Sequence, residues 1–223
     1  MTAHYRIGLT PRTLDPELAA LAASVQTSTI GHWKEGGFAH GLRPLGDRRQ
    51  FVGTALTVRL CDMDAAAVHY AADILEPGHV LVVDMGGDLE RASVGAILTF
   101  LAHHKGATGI VIDGMATDLP DLERAEIPVF ARGVSATTTR VLGIEGDVNY
   151  PVVIGGTVVT PGAIVIGDAD GLLFLTEEEL RYWAPRAIEA QESEAGLRDR
   201  LAMGGSIAEA SGALAAIRAS GAL

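Results

Sequence analysis

The fold of this chain is decided by a stretch in its middle, HVLVVDMGGDLERASVGAILTFLAHHKGATGIVIDG (residues 79–114). Residues 79–84 are mostly apolar and end in an aspartate, a pattern typical of a buried strand. Gly86 and Gly87 then predict a turn, and apolar residues recur at helical spacing until Gly106. A second apolar run occupies residues 108–114. The stretch therefore predicts a strand, a glycine turn, a helix and a further strand, which indicates an α/β fold.

The flanking segments add helices towards both ends and strands between them. Apolar spacing predicts amphipathic helices over residues 14–33 and 63–75, and β-branched alternation predicts a strand over residues 51–60. Short strands separated by glycine or proline fill residues 127–175. A threonine cap followed by three acids predicts a long helix over about residues 176–204. We expect this helix to pack on a neighbouring subunit.

Composition and charge exclude several classes of protein. The chain has 223 residues, of which 48% are hydrophobic and 27 are glycine, and we predict one domain over residues 1–223. Its formal net charge of −11 gives no general basic surface, so we expect a small molecule or a protein as partner and no nucleic acid.

No apolar run reaches the roughly 18 residues that span a bilayer, and no secretory signal is evident. The single cysteine, Cys61, excludes an intrachain disulfide. We predict a cytoplasmic protein without membrane contact.

The glycine pair is the strongest local indication of a ligand-binding site. Glycines after a buried strand let the backbone turn sharply and present the unpaired amides of a following helix to an anion. A carboxylate or phosphate could bind there. The alternative is a tight turn without any ligand, and the spacing matches neither a dinucleotide-binding motif nor a P-loop.

Two aspartates lie on either side of the GMAT turn, Asp113 and Asp118. A carboxylate at the end of a strand can hold Mg²⁺ through the waters of the ion. An aspartate in a glycine turn is also commonly a local cap, so both interpretations remain open. The sequence lacks the motifs of two other chemistries. The histidines do not have the HExxH spacing of metal ligands, and Ser93 does not lie in the G-x-S-x-G motif of a nucleophilic serine. His69 lies in an alanine-rich segment and is predicted to be a core or interface residue.

Several sequence blocks together resemble one known family. They are FVGTALTVRL (51–60), PGHVLVVDMGGDLERASVGAIL (77–98), GATGIVIDGMATDLPDL (106–122), IPVFARG (127–133) and YPVVIGGTVVTPGAIVIGDADGLLFL (150–175). With the glutamate-bearing C-terminal helix, they resemble the RraA-like family, which unites 4-hydroxy-4-methyl-2-oxoglutarate aldolase with regulator of ribonuclease activity A. The resemblance covers roughly residues 29–204. It implies an αββα sandwich around a small barrel-like sheet, assembled as homotrimers or as hexamers made of two trimers.

The resemblance also implies a site between subunits. There the carboxylate of a pyruvoyl group would rest on helix-start amides, which match Ser93, Val94, Gly95, Ala96 and Ile97 here. Gly86 and Gly87 would belong to the same substrate-binding cradle. A water-coordinated Mg²⁺ would be held by the aspartate that matches Asp118. A further catalytic acid from a neighbour's C-terminal helix matches Glu194.

This sequence departs from the catalytic signature of the family. That signature is an acidic residue, twenty intervening residues and an Arg-Asp pair, and the matching positions here are Ala96, Thr117 and Asp118. Threonine has neither the charge nor the reach of the arginine that would stabilise an oxyanion. Losing one such donor typically lowers the rate about 10²- to 10³-fold. Ala96 cannot take part in proton transfer.

Two functions remain open at this point. One is a divergent, metal-dependent lyase-type enzyme that acts on a small 2-oxo or hydroxy acid with Asp118, Thr117 and Glu194 in its site. The other is a non-catalytic binding or regulatory protein on the same scaffold. Retention of Asp118, Glu194 and the glycine pair favours the enzyme, whereas loss of the arginine and of the partner acid favours the regulator.

Overall fold

The computed structural model describes residues 4–222, which form a mixed α/β fold around a curled 11-stranded sheet, with a separate two-stranded sheet. The strands are β1 (His4–Ile7), β2 (Phe38–Ala39), β3 (Arg43–Pro44), β4 (Phe51–Leu60), β5 (His79–Asp84), β6 (Ala92–Val94), β7 (Gly109–Ala116), β8 (Val129–Val134), β9 (Glu145–Val148), β10 (Val152–Ile154), β11 (Thr157–Val159), β12 (Ile164–Gly167) and β13 (Leu172–Leu175). The helices are α1 (Pro16–Ala23), α2 (Thr27–Ile30), α3 (Ala66–Asp73), α4 (Ala96–His104), α5 (Leu119–Leu122), α6 (Glu177–Ala202), α7 (Ile207–Ala210) and α8 (Ala213–Ala219).

The centre of the sheet is parallel and its flanks are antiparallel. Strands β4, β5, β7 and β8 run parallel in that order, while β12 pairs antiparallel with β4 on one side and β3 pairs antiparallel with β8 on the other. Parallel neighbours need crossover connections, and α3 and α4 supply them between β4, β5 and β7. The mixed α/β fold with a curled, half-barrel sheet confirms the predicted fold class.

Alternate residues of the central strands enter different core layers. Leu81 and Val83 of β5 pack in the layer that also holds α3 and α4. Val80 and Val82 point to the opposite face, where Phe51 and other side chains fill the inside of the curl. Because both faces of these strands are buried, their sequences are nearly continuous apolar runs. A third apolar cluster lies beneath α1, α2 and α6.

Two predicted helices are shorter than the apolar spacing indicated. The segment between the glycine pair and Gly106 contains strand β6 before α4, because Ala92 and Val94 pair with the far end of β7 and are buried. The sequence had suggested that the glycine pair opens this helix, but β6 separates the pair from α4. The predicted helix over residues 14–33 divides into α1 and α2, since the hydroxyl of Ser24 donates to the Leu21 carbonyl oxygen and ends the first helix.

The long C-terminal helix is confirmed. It begins with a capping box in which the Thr176 hydroxyl accepts from the Glu179 amide and the Glu179 carboxylate accepts from the Thr176 amide. The last buried residue of α6 is Ala187, so its C-terminal half extends beyond the core of the chain. Among the described residues, no helix is both long and apolar enough to cross a bilayer.

A buried carboxylate ties the N-terminal strand to the sheet. Asp64 accepts hydrogen bonds from the Tyr5 hydroxyl at 2.6 Å and from the amides of Ala66, Leu142 and Ile144 at 3.0, 3.0 and 2.6 Å. Burial by itself would raise the pKa of Asp64, but these hydrogen bonds outweigh it and hold the pKa below its usual value. Burial and the contact with Asp64 raise the pKa of Tyr5 to about 12.

Candidate functional site

The end of β7 and the start of α4 are joined through Asp118. This residue adopts the left-handed conformation, with φ 59° and ψ 41°, at the point where the chain turns into α5. Its side chain does not cap α5. Instead, Asp118 Oδ2 accepts a hydrogen bond at 2.9 Å from the amide of Ala96, the first residue of α4. The carboxylate thus caps a helix that lies 22 residues earlier in the chain.

Gly95 allows this contact because it has no side chain. A Cβ at this position would overlap Asp118 Oδ2 and would lie 2.7 Å from Thr117 Cγ2. Thr117 also packs here through its backbone, whose amide donates to the Val94 carbonyl oxygen at 3.0 Å. The Thr117 hydroxyl lies 3.5 Å from Asp118 Oδ1, which is too long for a strong hydrogen bond.

These groups line one cavity of about 380 Å³. Ser93, Val94, Gly95, Ile97, Thr117 and Asp118 all contribute to its walls. Its volume is within the range of small-molecule sites. Ala96 lies between them in the chain, and its amide is already bonded to Asp118.

Ser93 is the one buried polar group of the cavity wall that has no partner within residues 4–222. Its side chain is 5% exposed, and its hydroxyl oxygen makes no hydrogen bond there. A buried hydroxyl without a partner is destabilising unless a water or a ligand satisfies it. The wall of the cavity therefore contains a buried hydroxyl that needs a hydrogen-bond partner.

The glycine pair lines a different cleft. Gly86 and Gly87 have φ of 63° and 88°, and their cleft of about 580 Å³ also contains Arg59, Cys61 and Arg91. None of its lining residues belongs to the Asp118 cavity. The structure thus brings Ser93, Gly95, Ile97, Thr117 and Asp118 together but places Gly86 and Gly87 elsewhere. In the second cleft, burial raises the pKa of the Cys61 thiol, which disfavours the nucleophilic thiolate.

Glu194 lies on the part of α6 that extends beyond the core. It is partly exposed and forms an ion pair with Arg198 at 3.0 Å, one turn further along the helix. It does not line the Asp118 cavity of its own chain. Its contribution to a neighbour's site stays a prediction.

The second aspartate of the GMAT turn has a structural role. One oxygen of Asp113 pairs with the Arg132 guanidinium, and the other accepts the Gly155 amide at 2.7 Å. Both oxygens are engaged, which argues against Asp113 as a metal ligand. Within residues 4–222 no group of three His, Cys, Asp or Glu side chains is arranged to hold a metal ion. Of the two aspartates of the turn, only Asp118 therefore has an oxygen, Oδ1, to offer, and a single carboxylate ligand fits a mostly hydrated Mg²⁺.

The structure adds two wall residues that were not predicted to line the site. His69, predicted to be a core or interface residue, is exposed in the single chain and lines the Asp118 cavity, so it is not a core residue, and its place in an interface stays a prediction. Asp73 lies one turn further along α3 and lines the same cavity. Their spacing of four residues on a predicted helix was the available signal.

Comparison with known proteins agrees with this architecture. Residues 26–174 match the family described as RraA-like, Aldolase/RraA. The chain belongs to this RraA-like family. Helices α6, α7 and α8 lie outside the matched region.

Relatives of known sequence carry an aldolase name. A putative 4-hydroxy-4-methyl-2-oxoglutarate aldolase from Halalkalibacterium halodurans is 36% identical over 131 residues, which cover 59% of this chain and 62% of that protein. The match thus spans less than two thirds of that relative. The 4-hydroxy-4-methyl-2-oxoglutarate aldolase from Thermus thermophilus is 34% identical over 135 residues, which cover 60% of this chain and 81% of that protein.

Solved structures of RraA-like proteins have the same fold. RraAS2 from Streptomyces coelicolor, described as an unusual member of the RNase ES inhibitor RraA protein family, superposes with a TM-score of 0.76 over 86% of this chain and 99% of that chain. At 22% identity this likeness concerns the fold alone. The RNA-processing inhibitor RraA from Thermus thermophilus has a TM-score of 0.61 and 31% identity over 67% of this chain and 90% of that chain.

Proposed function

We propose that this RraA-like protein is a lyase-type enzyme that acts on a small 2-oxo or hydroxy acid without the usual Arg-Asp pair. The observation that carries the proposal is the cavity where the Asp118 carboxylate, the start of α4 and the unpartnered Ser93 hydroxyl meet. Because buried hydroxyls are normally hydrogen-bonded, we expect a ligand or a water to be the partner of Ser93.

The carboxylate of the ligand would bind at the start of α4. The first amides of a helix have no partner within that helix and carry partial positive charge. Asp118 already takes the Ala96 amide, so the amides of Ile97 and Leu98 and the Ser93 hydroxyl are the donors that a ligand would use. Ser93, Ile97 and Leu98 would therefore orient the acid end of the substrate.

Asp118 would also hold a divalent cation, which we propose to be Mg²⁺. Its Oδ2 stays on the Ala96 amide, and its Oδ1 faces Thr117 at a distance that leaves it able to accept a further ligand. When bound, the ion would supply positive charge beside the 2-oxo group. The remaining ligands of such an ion would be waters or substrate oxygens.

The chemistry proposed is cleavage next to a 2-oxo group. Breaking the bond between C3 and C4 of a 4-hydroxy-2-oxo acid releases a carbonyl compound and the enolate of pyruvate, while the 4-hydroxyl loses its proton. The enolate then takes up a proton to give pyruvate. Because Thr117 supplies no positive charge to the enolate oxygen, this chain would be slower than a member with arginine by about 10²-fold or more.

We further propose that the working form is a homotrimer or hexamer whose C-terminal helix reaches a neighbouring subunit. Ile97 and Phe100 on α4 are 79% and 67% exposed in the single chain, next to the cavity. Apolar side chains this exposed beside a site are typical of an interface. The neighbour's Glu194 would then complete the site. The net charge of −11 and the single cysteine support a cytoplasmic protein that binds no nucleic acid.

A regulatory function is the second candidate. Thr117 leaves the cavity without a guanidinium, and the Thermus thermophilus structure at 31% identity is described as an RNA-processing inhibitor. On this account the protein would act by binding a protein partner.

Pyruvate release from short 4-hydroxy-2-oxo acids, with and without Mg²⁺, distinguishes the two candidates. If the protein is an enzyme, the wild type should release pyruvate from at least one of these acids in a Mg²⁺-dependent manner. The Asp118→Asn variant should release little or none. Release from none of them, by a correctly assembled protein, would favour the regulator.

A further inference from the structure

The far wall of the Asp118 cavity carries negative charge. Asp73 and His69 are exposed residues one turn apart on α3, and both line the cavity. The C-cap residue of α4, Lys105, contacts the main chain of Asp73, whereas the amides that would bind an acid lie at the other end of α4. Asp118 is the second carboxylate of the wall. Within residues 4–222 no lysine or arginine lines this cavity.

The Asp73 carboxylate is not neutralised by its surroundings. It makes no hydrogen bond or ion pair with the described residues, in contrast to Asp118. The Lys105 ammonium donates at 2.8 Å to the main-chain oxygen of Asp73 rather than to its carboxylate. Lys105 is not part of the cavity wall. Asp73 therefore presents to the cavity an exposed carboxylate that has no ion-pair partner among residues 4–222.

We infer that this cavity selects 2-oxo monocarboxylates with an uncharged, hydroxyl-bearing far end and rejects dicarboxylates. The inference rests on the function proposed above and names its substrate class. One carboxylate of a ligand is accommodated by the α4 amides and the Ser93 hydroxyl. A second carboxylate at the other end would meet Asp73, and two like charges within a few ångströms repel strongly enough to weaken binding about tenfold or more.

An uncharged far end would instead find hydrogen-bond partners. A ligand hydroxyl can donate to the Asp73 carboxylate and accept from His69 or from the exposed Thr138 hydroxyl, all of which line the cavity. The wall is thus suited to a hydroxyl and unsuited to a carboxylate. A cation at Asp118 would not change this, because it would lie at the acid end of the ligand.

Calorimetry with two acids of equal length tests this inference. With Mg²⁺ present, 2-oxovalerate should bind the wild-type protein about tenfold more tightly than 2-oxoglutarate, which has a carboxylate in place of the terminal methyl group. The Asp73→Asn variant should bind 2-oxoglutarate about tenfold more tightly than the wild type does, with 2-oxovalerate changed less than about twofold. Glu35→Gln, an exposed change outside the cavity with the same effect on net charge, should alter neither affinity.

The outcomes separate this inference from the proposed function. Wild-type protein that binds 2-oxoglutarate as tightly as 2-oxovalerate, or an Asp73→Asn variant without the gain, overturns the charge selection and leaves the proposed function standing. Failure of both acids to bind overturns the proposed function and the inference with it.

Discussion

Asp118 Oδ2 accepts the amide of Ala96 at 2.9 Å, so the carboxylate expected to hold a metal also caps the helix expected to hold the substrate. A hydrogen bond therefore links the predicted metal ligand to the helix that is predicted to bind the substrate. Any movement of Asp118 would change the position of the first turn of α4, and with it the amides at the cavity.

The coupling predicts that two substitutions of Asp118 differ in stability. Asp118→Ala removes the cap and places alanine in the left-handed conformation, which should lower the free energy of unfolding by about 1–3 kcal/mol. Asp118→Asn keeps an oxygen that can accept the Ala96 amide, and asparagine tolerates this conformation. Its stability should stay within about 0.5 kcal/mol of wild type. Denaturant titration measures the free energy of unfolding of both variants. An equal loss of stability in the two would contradict a contribution from the cap.

Gly95 gives a second test of the same contact. A Cβ there would overlap Asp118 Oδ2, so Gly95→Ala should destabilise the protein by about 1–3 kcal/mol. Gly36→Ala is the matched control, because nothing lies within 4 Å of a Cβ at Gly36 and its φ is not positive. The control should change stability by less than about 0.5 kcal/mol. Thermal unfolding of both variants decides the point, and a neutral Gly95→Ala would mean that Asp118 does not hold this position.

Asp64 predicts a pH dependence with a definite sign. Its folded pKa is depressed, so its stabilisation is complete above the unfolded value of about 3.9 and is lost as the pH falls towards the folded value. Asp64→Asn should therefore cost about 1–3 kcal/mol at neutral pH, and its difference from wild type should narrow below about pH 4. The exposed Asp170→Asn serves as control in the same denaturation series. If the difference in free energy of unfolding between wild type and Asp64→Asn stays constant from pH 7 to pH 3, this role of Asp64 is refuted.

Assembly is predicted to require the C-terminal helix. Light scattering at micromolar concentration should give a mass of at least three chains, and truncation after Ala187, the last buried residue of α6, should reduce it. A stable particle of 23.2 kDa for the full chain would contradict a site shared between subunits.

The sequence predicted those features that depend on local patterns. The apolar runs of β5 and β7 and the capping box at Thr176 are read directly from neighbouring residues. It failed at β6, because Ala92 and Val94 pair with a strand more than twenty residues later, and this pairing overrides the helical spacing. Nor does Arg91 replace the missing arginine, because its guanidinium pairs with Asp88 at 2.7 Å in the other cleft. The approach of His69 and Asp73 to Asp118 depends on how α3 packs, which local patterns do not encode.

The central claim is that the Asp118 cavity binds a small 2-oxo acid together with Mg²⁺, and titration calorimetry with oxalate or pyruvate tests it most directly. Wild-type protein should bind in the presence of Mg²⁺ and more weakly without it. Asp118→Asn, which keeps the helix cap, should lose the Mg²⁺-dependent part and retain the fold. No heat with either acid, or identical Mg²⁺-dependent binding by wild type and Asp118→Asn, would contradict the claim.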